Sequence, residues 1–371
     1  MHVRPIDARQ HLDFVAKQGS ASFLQTPAWA QVKSEWRGQS LGWFHGEHLL
    51  GAGLVLYRQL PKLKRSLAYL PEGPLLDWDA VADAPREWLD PLVRGLKREG
   101  AFGVRMGPPV VTRRWGSETL KAAVATGQAT KLDSVPADET TDVGRRLAAA
   151  LQASGWRPPR AEGGFAAGQP QYVFQLPLAG KTEGDLLKGF NQLWRRNVKK
   201  AEKAGVTVEL GTADDLPAFH EVYVETAKRD GFTPRPLPYF QRMWQAMSAE
   251  DPERIALLLA RHEGRLLAAT TLVRVGRHAW YSYGASSTEG RDVRPSNAVQ
   301  WQMMRTSLAS GCDVYDLRGI TDTLDPQDPH FGLIQFKLGT GGEAVEYLGE
   351  WDLPLNRPLY AAFDLYLRRR G

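Results

Sequence analysis

The chain has 371 residues, of which 43% are hydrophobic and 24% charged, and this composition is typical of a globular protein rather than a disordered or fibrous one. Its net charge of +5 favours anionic partners without a histone-like excess of basic residues. Apolar runs such as 255–260 are too short to cross a membrane, and the first ten residues lack a secretion signal. The single Cys312 excludes an intrachain disulfide, so we expect a cytoplasmic protein. A chain of 371 residues is too long for one typical core, so we expect two domains.

A pattern of strand, strand, helix and strand occurs twice along the chain. The first copy comprises 46–60, 69–77, 86–100 and 101–107, and the second comprises 263–275, 279–287, 297–311 and 312–320. Internal repetition of this kind outweighs any single motif in a choice of fold. The sequence therefore predicts two α/β domains of the same type joined in one chain.

The segments between and after the two copies are less regular. The polar stretch 112–144 has weak periodicity and is interpreted as a loop or marginal helix. A short helix is predicted at 145–155 and a strand at 171–178. After Gly349, a turn and an aromatic-rich terminal helix are expected in 350–370.

The segment 181–205 reads as one amphipathic helix with a basic face. Its predicted apolar face holds Leu186, Phe190, Leu193, Trp194, Val198 and Ala201, and its basic face holds Lys188, Arg195, Arg196, Lys199, Lys200 and Lys203. From 188 to 203 the six basic residues and the one acid give 6 − 1 = +5, which equals the net charge of the whole chain. Such a face fits a nucleic-acid backbone; a solvated surface or a membrane surface stays an alternative.

Three further places hold candidate binding residues. A proline-stiffened loop in 219–240 carries Arg235 and Tyr239, which suits an anion, although pure turn chemistry is an equal alternative. Tyr281 and Tyr283 should share one face of a strand, as core filler or as ligand contacts. The segment 289–301 lacks the glycine-containing pyrophosphate loop of coenzyme A-dependent acetyltransferases, which weighs against coenzyme A as a donor.

The run 331-FGLIQFKLGTGGE-343 places Lys337 ahead of three glycines, Gly339, Gly341 and Gly342. In a phosphate-binding Walker loop the glycines precede the lysine, so this run is not one. Alternation of apolar residues around Lys337 suggests an extended segment, in which the cation faces a cleft or an anionic partner. The glycines let the chain bend, let another segment approach closely, or leave room for a bulky substrate end.

Several of these stretches together resemble the FemABX family of aminoacyl-tRNA-dependent peptidyltransferases, which add amino acids to the branch of peptidoglycan precursors. The resemblance is carried in order by 23-FLQTPAWAQVKSEW-36, 69-YLPEGP-74, 194-WRRNVKKAEKAGV-206, 225-ETAKRDGFTPRP-236, 311-GCDVYDLRGI-320 and 332-GLIQFKLGTGGE-343. It implies two tandem GNAT-like domains without a long coiled-coil arm: 1–175, completed by 348–371, and 176–347.

The resemblance also implies roles for matched residues. Lys33 matches a lysine that contacts the nucleotide diphosphate of the precursor, and Arg235 with Tyr239 matches the residues that complete that site. Tyr281 or Tyr283 matches a further substrate-contacting tyrosine. Lys337 matches a lysine at the reacting ester, with Phe336 beside it, and the basic face of 181–205 matches a surface for the tRNA acceptor stem.

One departure from the family pattern concerns proton transfer. Related sequences often have Asp-Pro after the strand where this chain has Met106 and Gly107, so a carboxylate base is missing there. His330 is a conceivable base, with a loop histidine of no function as the alternative, and the substrates themselves are another route for the proton.

The resemblance thus implies an enzyme with aminoacyl-tRNA as donor and UDP-MurNAc-pentapeptide or lipid II as acceptor. We expect the amine of the stem peptide to attack the ester directly while Lys337 stabilises the oxyanion, with no cofactor or metal. A monomer that contacts the inner face of the membrane is expected, and the basic end 368–370 could contribute there. The alternatives are a coenzyme A-dependent N-acyltransferase and a non-catalytic RNA-binding protein.

Overall fold

The computed structural model describes residues 1–61, 63–127, 129–159 and 168–368. Its strands are β1 (His2–Pro5), β2 (Arg37–His45), β3 (His48–Gln59), β4 (Ser66–Leu70), β5 (Ala101–Met106), β6 (Val111–Gly116), β7 (Glu139–Thr140), β8 (Tyr172–Pro177), β9 (Thr207–Gly211), β10 (Ile255–His262), β11 (Arg265–Val275), β12 (His278–Ser286), β13 (Val314–Ile320), β14 (Glu343–Tyr347) and β15 (Trp351–Pro354). Its helices are α1 (Ala8–Val15), α2 (Pro27–Val32), α3 (Trp78–Asp83), α4 (Pro85–Arg98), α5 (Ser117–Thr126), α6 (Asp142–Ala153), α7 (Glu183–Gly189), α8 (Gln192–Lys203), α9 (Leu216–Asp230), α10 (Leu237–Glu250), α11 (Pro295–Ala309), α12 (Phe331–Leu338) and α13 (Arg357–Arg368).

The chain divides into two compact units. Unit 1 comprises Met1–Trp115, Ala137–Tyr172 and Val345–Gly371, and unit 2 comprises Gly116–Pro136 and Val173–Ala344. The sequence had assigned everything before residue 176 to the first domain, whereas 116–136 groups with unit 2. Helix α5 accounts for this difference because it packs against α12 of unit 2.

Unit 1 is built on a sheet with the strand order β1-β2-β3-β4-β5-β15. Its neighbouring strands are antiparallel except β4 and β5, which are parallel and are connected by α3 and α4. Apolar side chains of α4, such as Leu92 and Leu96, pack with Trp43, Val104 and Met106 of the sheet in one buried core. Burial of these side chains is what holds the crossing helix on the sheet.

Unit 2 repeats this scheme in its strand order β9-β10-β11-β12-β13-β8. The pairs from β9 to β12 are antiparallel, whereas β12 and β13 are parallel and are connected by α11. Each of the six strands therefore has a counterpart in unit 1. The two tandem α/β domains that the repeat predicts are confirmed. The longest helices among the described residues, α9 and α11, have 15 residues each.

The end of the chain belongs to unit 1 and carries a strand that was not predicted. β15 pairs antiparallel with β5, and Tyr360 and Phe363 of α13 pack on Phe102. Beneath them, the buried Asp352 accepts two hydrogen bonds from Arg105, from Nε at 2.7 Å and from Nη2 at 2.9 Å. This bidentate pair connects the last strand, β15, to its neighbour β5.

Three local expectations are wrong. The stretch 112–144, expected to be a loop or marginal helix, contains β6, α5 and β7. The single helix expected at 181–205 is two helices, because Phe190 is extended and the side chain of Asn191 accepts a hydrogen bond from the Trp194 N–H at 2.8 Å, which starts a new helix. The segment around Lys337, expected to be extended, is helix α12, since a short apolar run does not distinguish strand from helix.

Candidate functional site

The basic face survives the break between the two helices. Lys188 lies on α7, and α8 carries Arg195, Arg196, Lys199, Lys200 and Lys203; all six are exposed. Of the predicted apolar face, Leu186, Phe190, Trp194 and Ala201 are buried. Val198 is half-buried, and Leu193 is 52% exposed and lies among the basic residues rather than in the core.

The start of α8 is attached to the helix that carries Lys337. The indole N–H of Trp194 donates to the carbonyl of Phe336 at 2.7 Å, and the centroids of the two rings are 4.8 Å apart. The N–H of Asn191 donates to the carbonyl of Gly339 at 2.9 Å. Phe336, predicted beside the reacting ester, therefore connects α12 to the basic helix.

The glycines after Lys337 allow the segments around α8 and α12 to approach this closely. A Cβ on Gly339 would lie 2.2 Å from Cδ1 of Trp194, and one on Gly341 would lie 2.3 Å from the carbonyl oxygen of Gly189. A Cβ on Gly342 would meet the carbonyl oxygen of Gln175 at 2.3 Å. Protein backbone and side chain fill this space, so the expectation that the glycines leave room for a bulky substrate end is wrong, and close approach of another segment is the reason for them.

Lys337 is a buried lysine at the end of α12. Its residue is 4% exposed, and its Nζ donates to the carbonyl of Gly319 at 2.7 Å and to that of Arg318 at 3.1 Å. Burial lowers the pKa of Lys337 from its ordinary value of 10.5 to about 7; the charge of Asp316 opposes this change and that of Arg318 adds to it. The amine is thus able to change its charge near neutral pH.

Arg235 lies over an aromatic cluster between α9, α10 and β12. Its guanidinium carbon is 5.4 Å from the ring centroid of Tyr239, whose hydroxyl is 2.9 Å from the hydroxyl of Tyr283. The carbonyl of Arg235 is 3.0 Å from Nε2 of His220, which fixes the loop. Tyr239 was expected in that loop but lies in the first turn of α10. The cluster therefore presents a cation and two phenol groups together.

Tyr281 and Tyr283 do not have equivalent environments. The register of β12 against β11 shifts between them, because Thr271 pairs with Tyr283 and Leu272 pairs with Tyr281. This bulge breaks the alternation that predicted a shared face. Tyr283 joins the cluster of Tyr239, whereas burial raises the pKa of Tyr281 to about 12. The structure thus places Tyr283, rather than Tyr281, beside Tyr239 in the cluster of Arg235.

Two members of this cluster were missed in the sequence. Tyr223 and Phe240 pack edge-on against the ring of Tyr283, with centroids 6.2 and 5.1 Å away. Burial raises the pKa of Tyr223. Both lie on helices with ordinary apolar periodicity, so their participation followed only from the packing of α9 and α10.

Lys33 lies in unit 1, at the end of α2, and its Nζ is 5.6 Å from the ring centroid of Trp29. The other predicted site residues all lie in unit 2. Gly107, in the Met106–Gly107 pair where the resemblance implied Asp-Pro, lies beside Glu350 of unit 1, since a Cβ on Gly107 would be 3.7 Å from Cγ of Glu350. Burial raises the pKa of Glu350, whose Oε1 accepts from the Tyr69 hydroxyl at 2.5 Å.

His330, the candidate base, lies at the start of α12, whereas Lys337 lies at its end. Its imidazole is exposed, and Nδ1 is 3.1 Å from a carboxylate oxygen of Asp328. Cys312 is buried, as expected. In the described part of the chain, no cluster of His, Cys, Asp and Glu could hold a metal ion, and no helix has the length and apolarity needed to cross a bilayer.

Comparison with known proteins matches this chain over nearly its whole length. The model of the FemAB family matches residues 6–260 and 256–368. The lipid II:glycine glycyltransferase of Staphylococcus haemolyticus (strain JCSC1435) is 24% identical over 425 residues, which cover 97% of this chain and 94% of that protein. The corresponding enzyme of Staphylococcus aureus (strain MRSA252) is 25% identical, with the same coverage.

Solved structures agree with the duplicated fold. The crystal structure of FemX superposes with a TM-score of 0.82 at 23% identity and covers 98% of this chain and 100% of that one. A tandem GNAT protein from the clavulanic acid biosynthesis pathway gives a TM-score of 0.51 at 12% identity, with 95% and 98% coverage. These similarities show that the architecture is that of two GNAT-like domains.

Proposed function

The chain belongs to the FemAB family, and we propose that it transfers an amino acid from aminoacyl-tRNA to the side-chain amine of a peptidoglycan stem peptide, building an interpeptide bridge. The similarity to lipid II:glycine glycyltransferases favours lipid II as the acceptor, with UDP-MurNAc-pentapeptide as the soluble alternative. The observation that carries the proposal is the buried amine of Lys337 on a helix bonded directly to the basic helix α8.

In the proposed step the acceptor amine attacks the aminoacyl ester. A C–N bond forms, the C–O bond to the tRNA ribose breaks, the amine loses a proton and the ribose oxygen gains one. The ester is already activated, so the enzyme has to align the partners and stabilise the negative oxygen of the tetrahedral intermediate. No covalent enzyme intermediate is required.

The hydrogen bonds of Lys337 suit such a role. Two of its N–H groups are directed to the carbonyls of Arg318 and Gly319. A neutral amine has only two hydrogens, so both would be used, whereas an ammonium retains a third for the oxyanion. Lys337 therefore has to be charged in order to stabilise the intermediate.

The remaining predicted residues bind the two substrates in this proposal. The exposed basic residues of α7 and α8 contact phosphates of the tRNA acceptor stem, and such contacts position the stem without reading its sequence. Arg235, Tyr239 and Tyr283 of unit 2 bind a phosphate of the acceptor in this proposal. We propose that the protein works as a monomer at the inner face of the membrane.

Mass spectrometry of the products tests this function. The purified protein is incubated with total charged tRNA and, separately, with lipid II and UDP-MurNAc-pentapeptide. A mass increase of one or more amino-acid residues on either acceptor, abolished by ribonuclease, is expected. A product that forms with ribonuclease-treated mixtures plus acyl-coenzyme A would assign the enzyme to the coenzyme A-dependent class, and RNA binding without any product would contradict the enzymatic proposal.

A further inference from the structure

The carbonyl groups that hold Lys337 come from an unusual backbone. Arg318 in β13 has a φ of 63°, in the left-handed region that non-glycine residues rarely adopt. Such a conformation costs on the order of 1 kcal/mol or more and persists only where neighbouring interactions impose it. A strained residue whose carbonyl accepts a hydrogen bond from a buried amine is a sign of a built site.

The side chain of Asp316 imposes this conformation. Its Oδ1 accepts the backbone N–H of Arg318 at 2.5 Å, and its Oδ2 accepts from Nε2 of Gln175 at 3.1 Å. Asp316 is 2% exposed. Burial works against its charge, but His278, whose Nε2 is 3.6 Å from Oδ2, and the charge of Arg318 outweigh burial, so the pKa of Asp316 lies below its ordinary value. It is therefore a buried carboxylate anion.

We propose that Asp316 is a positioning residue for Lys337: through the backbone of Arg318 it presents the two carbonyl groups that hold the amine, and its negative charge favours the ammonium form. The relevance of this arrangement to catalysis rests on the function proposed above. Asp316 does not touch the reacting atoms. Arg318 opposes the effect of the Asp316 charge, because the guanidinium of Arg318 repels the ammonium of Lys337.

The other charged groups around α12 are accounted for. This helix packs against β13 and α5, and its Phe336 contacts α8. On α5, Glu118 and Lys121 pair with each other, with Nζ 2.7 Å from the carboxylate. On α8, Arg195 donates to the backbone carbonyls of Lys188 and Phe190. Among the residues that the structure describes, the charged side chains that act on the Lys337 amine are thus Asp316 and Arg318 of β13.

Two substitutions test the inference by opposite effects. Asp316→Asn keeps an oxygen acceptor for the Arg318 N–H but removes the charge, so the titration midpoint of Lys337 should fall by roughly one pH unit. Arg318→Gln removes the repelling guanidinium, so the midpoint should rise. The midpoint is read from the ¹³Cε signal of Lys337 in the full-length protein labelled with ¹³C-lysine, and the signal is assigned by its loss in Lys337→Met.

The same variants are assayed for transfer activity against pH. The inference is supported if the two midpoints move in opposite directions and the bend in the plot of log(kcat/KM) against pH moves with each of them. Midpoints that stay in place, or that move together, overturn it and make Asp316 merely structural. Opposite midpoint shifts without movement of the bend support the control of Lys337 by Asp316 and refute the catalytic role of Lys337. If Asp316→Asn does not fold, Asp316→Ser retains an acceptor without charge and carries the same expectation.

Discussion

Replacing Lys337 with methionine changes the pH dependence of stability in a way that follows from its burial. In the folded protein the pKa of Lys337 is about 7, whereas in the unfolded chain it has the ordinary value of 10.5. Between these values the unfolded state binds more protons than the folded state, so the stability of the wild type rises with pH across this window. At lower pH the amine is charged in both states, and the folded state bears the whole cost of burying that charge.

The size of the effect follows from the same two values. A fall from 10.5 to about 7 corresponds to a cost on the order of 5 kcal/mol in the folded state at low pH. By linkage, about 2 kcal/mol of this cost disappears between about pH 7 and about pH 9. Lys337→Met has no amine to titrate. The free energy of unfolding of the variant minus that of the wild type should therefore decrease by about 2 kcal/mol over that interval.

Urea unfolding, followed by tryptophan fluorescence at several pH values, measures this difference. The matched control is Lys188→Met, because the Lys188 side chain is exposed on α7 and its ammonium stays in water in both states. Its stability difference from the wild type should not change with pH. If the stability curves of Lys337→Met and the wild type run parallel from neutral to alkaline pH, the inferred burial cost of the Lys337 charge is wrong.

Three other substitutions test the packing and the basic face. Gly339→Ala places a methyl group against Trp194, so it should lower the stability of the fold and reduce the kcat of transfer by at least tenfold. Gly332→Ala, where the added methyl group has nothing within 4 Å, should change neither. Equal effects of the two substitutions would refute the close packing of Gly339 on Trp194. Arg105→Met leaves the buried carboxylates of Asp352 and Glu350 without their cationic partner and should cost about 3–5 kcal/mol in urea unfolding. Arg37→Met at an exposed ion pair should cost about 0–1 kcal/mol, and similar losses in the two variants would contradict this. Lys200→Gln should reduce the slope of log Kd for tRNA against log salt by about one, and an unchanged slope would remove this residue from the interface.

The sequence was sufficient for the architecture because the repeated order of elements reflects how each domain buries its core. Strands such as β3 and β11 are long and apolar, and the helices α4 and α11 each begin at a proline. The chain of unit 1 also returns at residue 345 to add a strand. That strand, β15, is four residues long and pairs with a partner far away in sequence, so no local pattern revealed it.

The sequence identified candidate residues of the site but not their arrangement in space. Lys337 was identified by its motif, yet its helical conformation and its bonds to β13 depend on tertiary contacts. The separation of Tyr281 from Tyr283 depends on a bulge that needs the register of β11. Asp316 lies in a strand sequence, 312-CDVYDLRGI-320, that looks like ordinary core. Its function as a backbone acceptor became visible only with the left-handed Arg318.

The glycines after Lys337 show how one motif supports two different readings. A cluster of glycines beside a lysine is compatible with a substrate cleft or with close packing of protein segments. The short distance from a Cβ on Gly339 to the Trp194 side chain shows that close packing is the reason for this glycine. This packing also matters for the proposed function, because it joins the helix of Lys337 to the basic helix.

The charge of Lys337 during the reaction is the central claim, and the slope of log(kcat/KM) for the acceptor against pH tests it most directly. The acceptor amine has a pKa of about 10.4, so its reactive form increases tenfold per pH unit throughout the range near neutrality. If Lys337 acts as an ammonium, the plot rises with a slope of one and levels off near pH 7, and this bend is absent in Lys337→Met. A slope of two that changes to one at the same pH would show that the neutral amine is required, and would contradict the account.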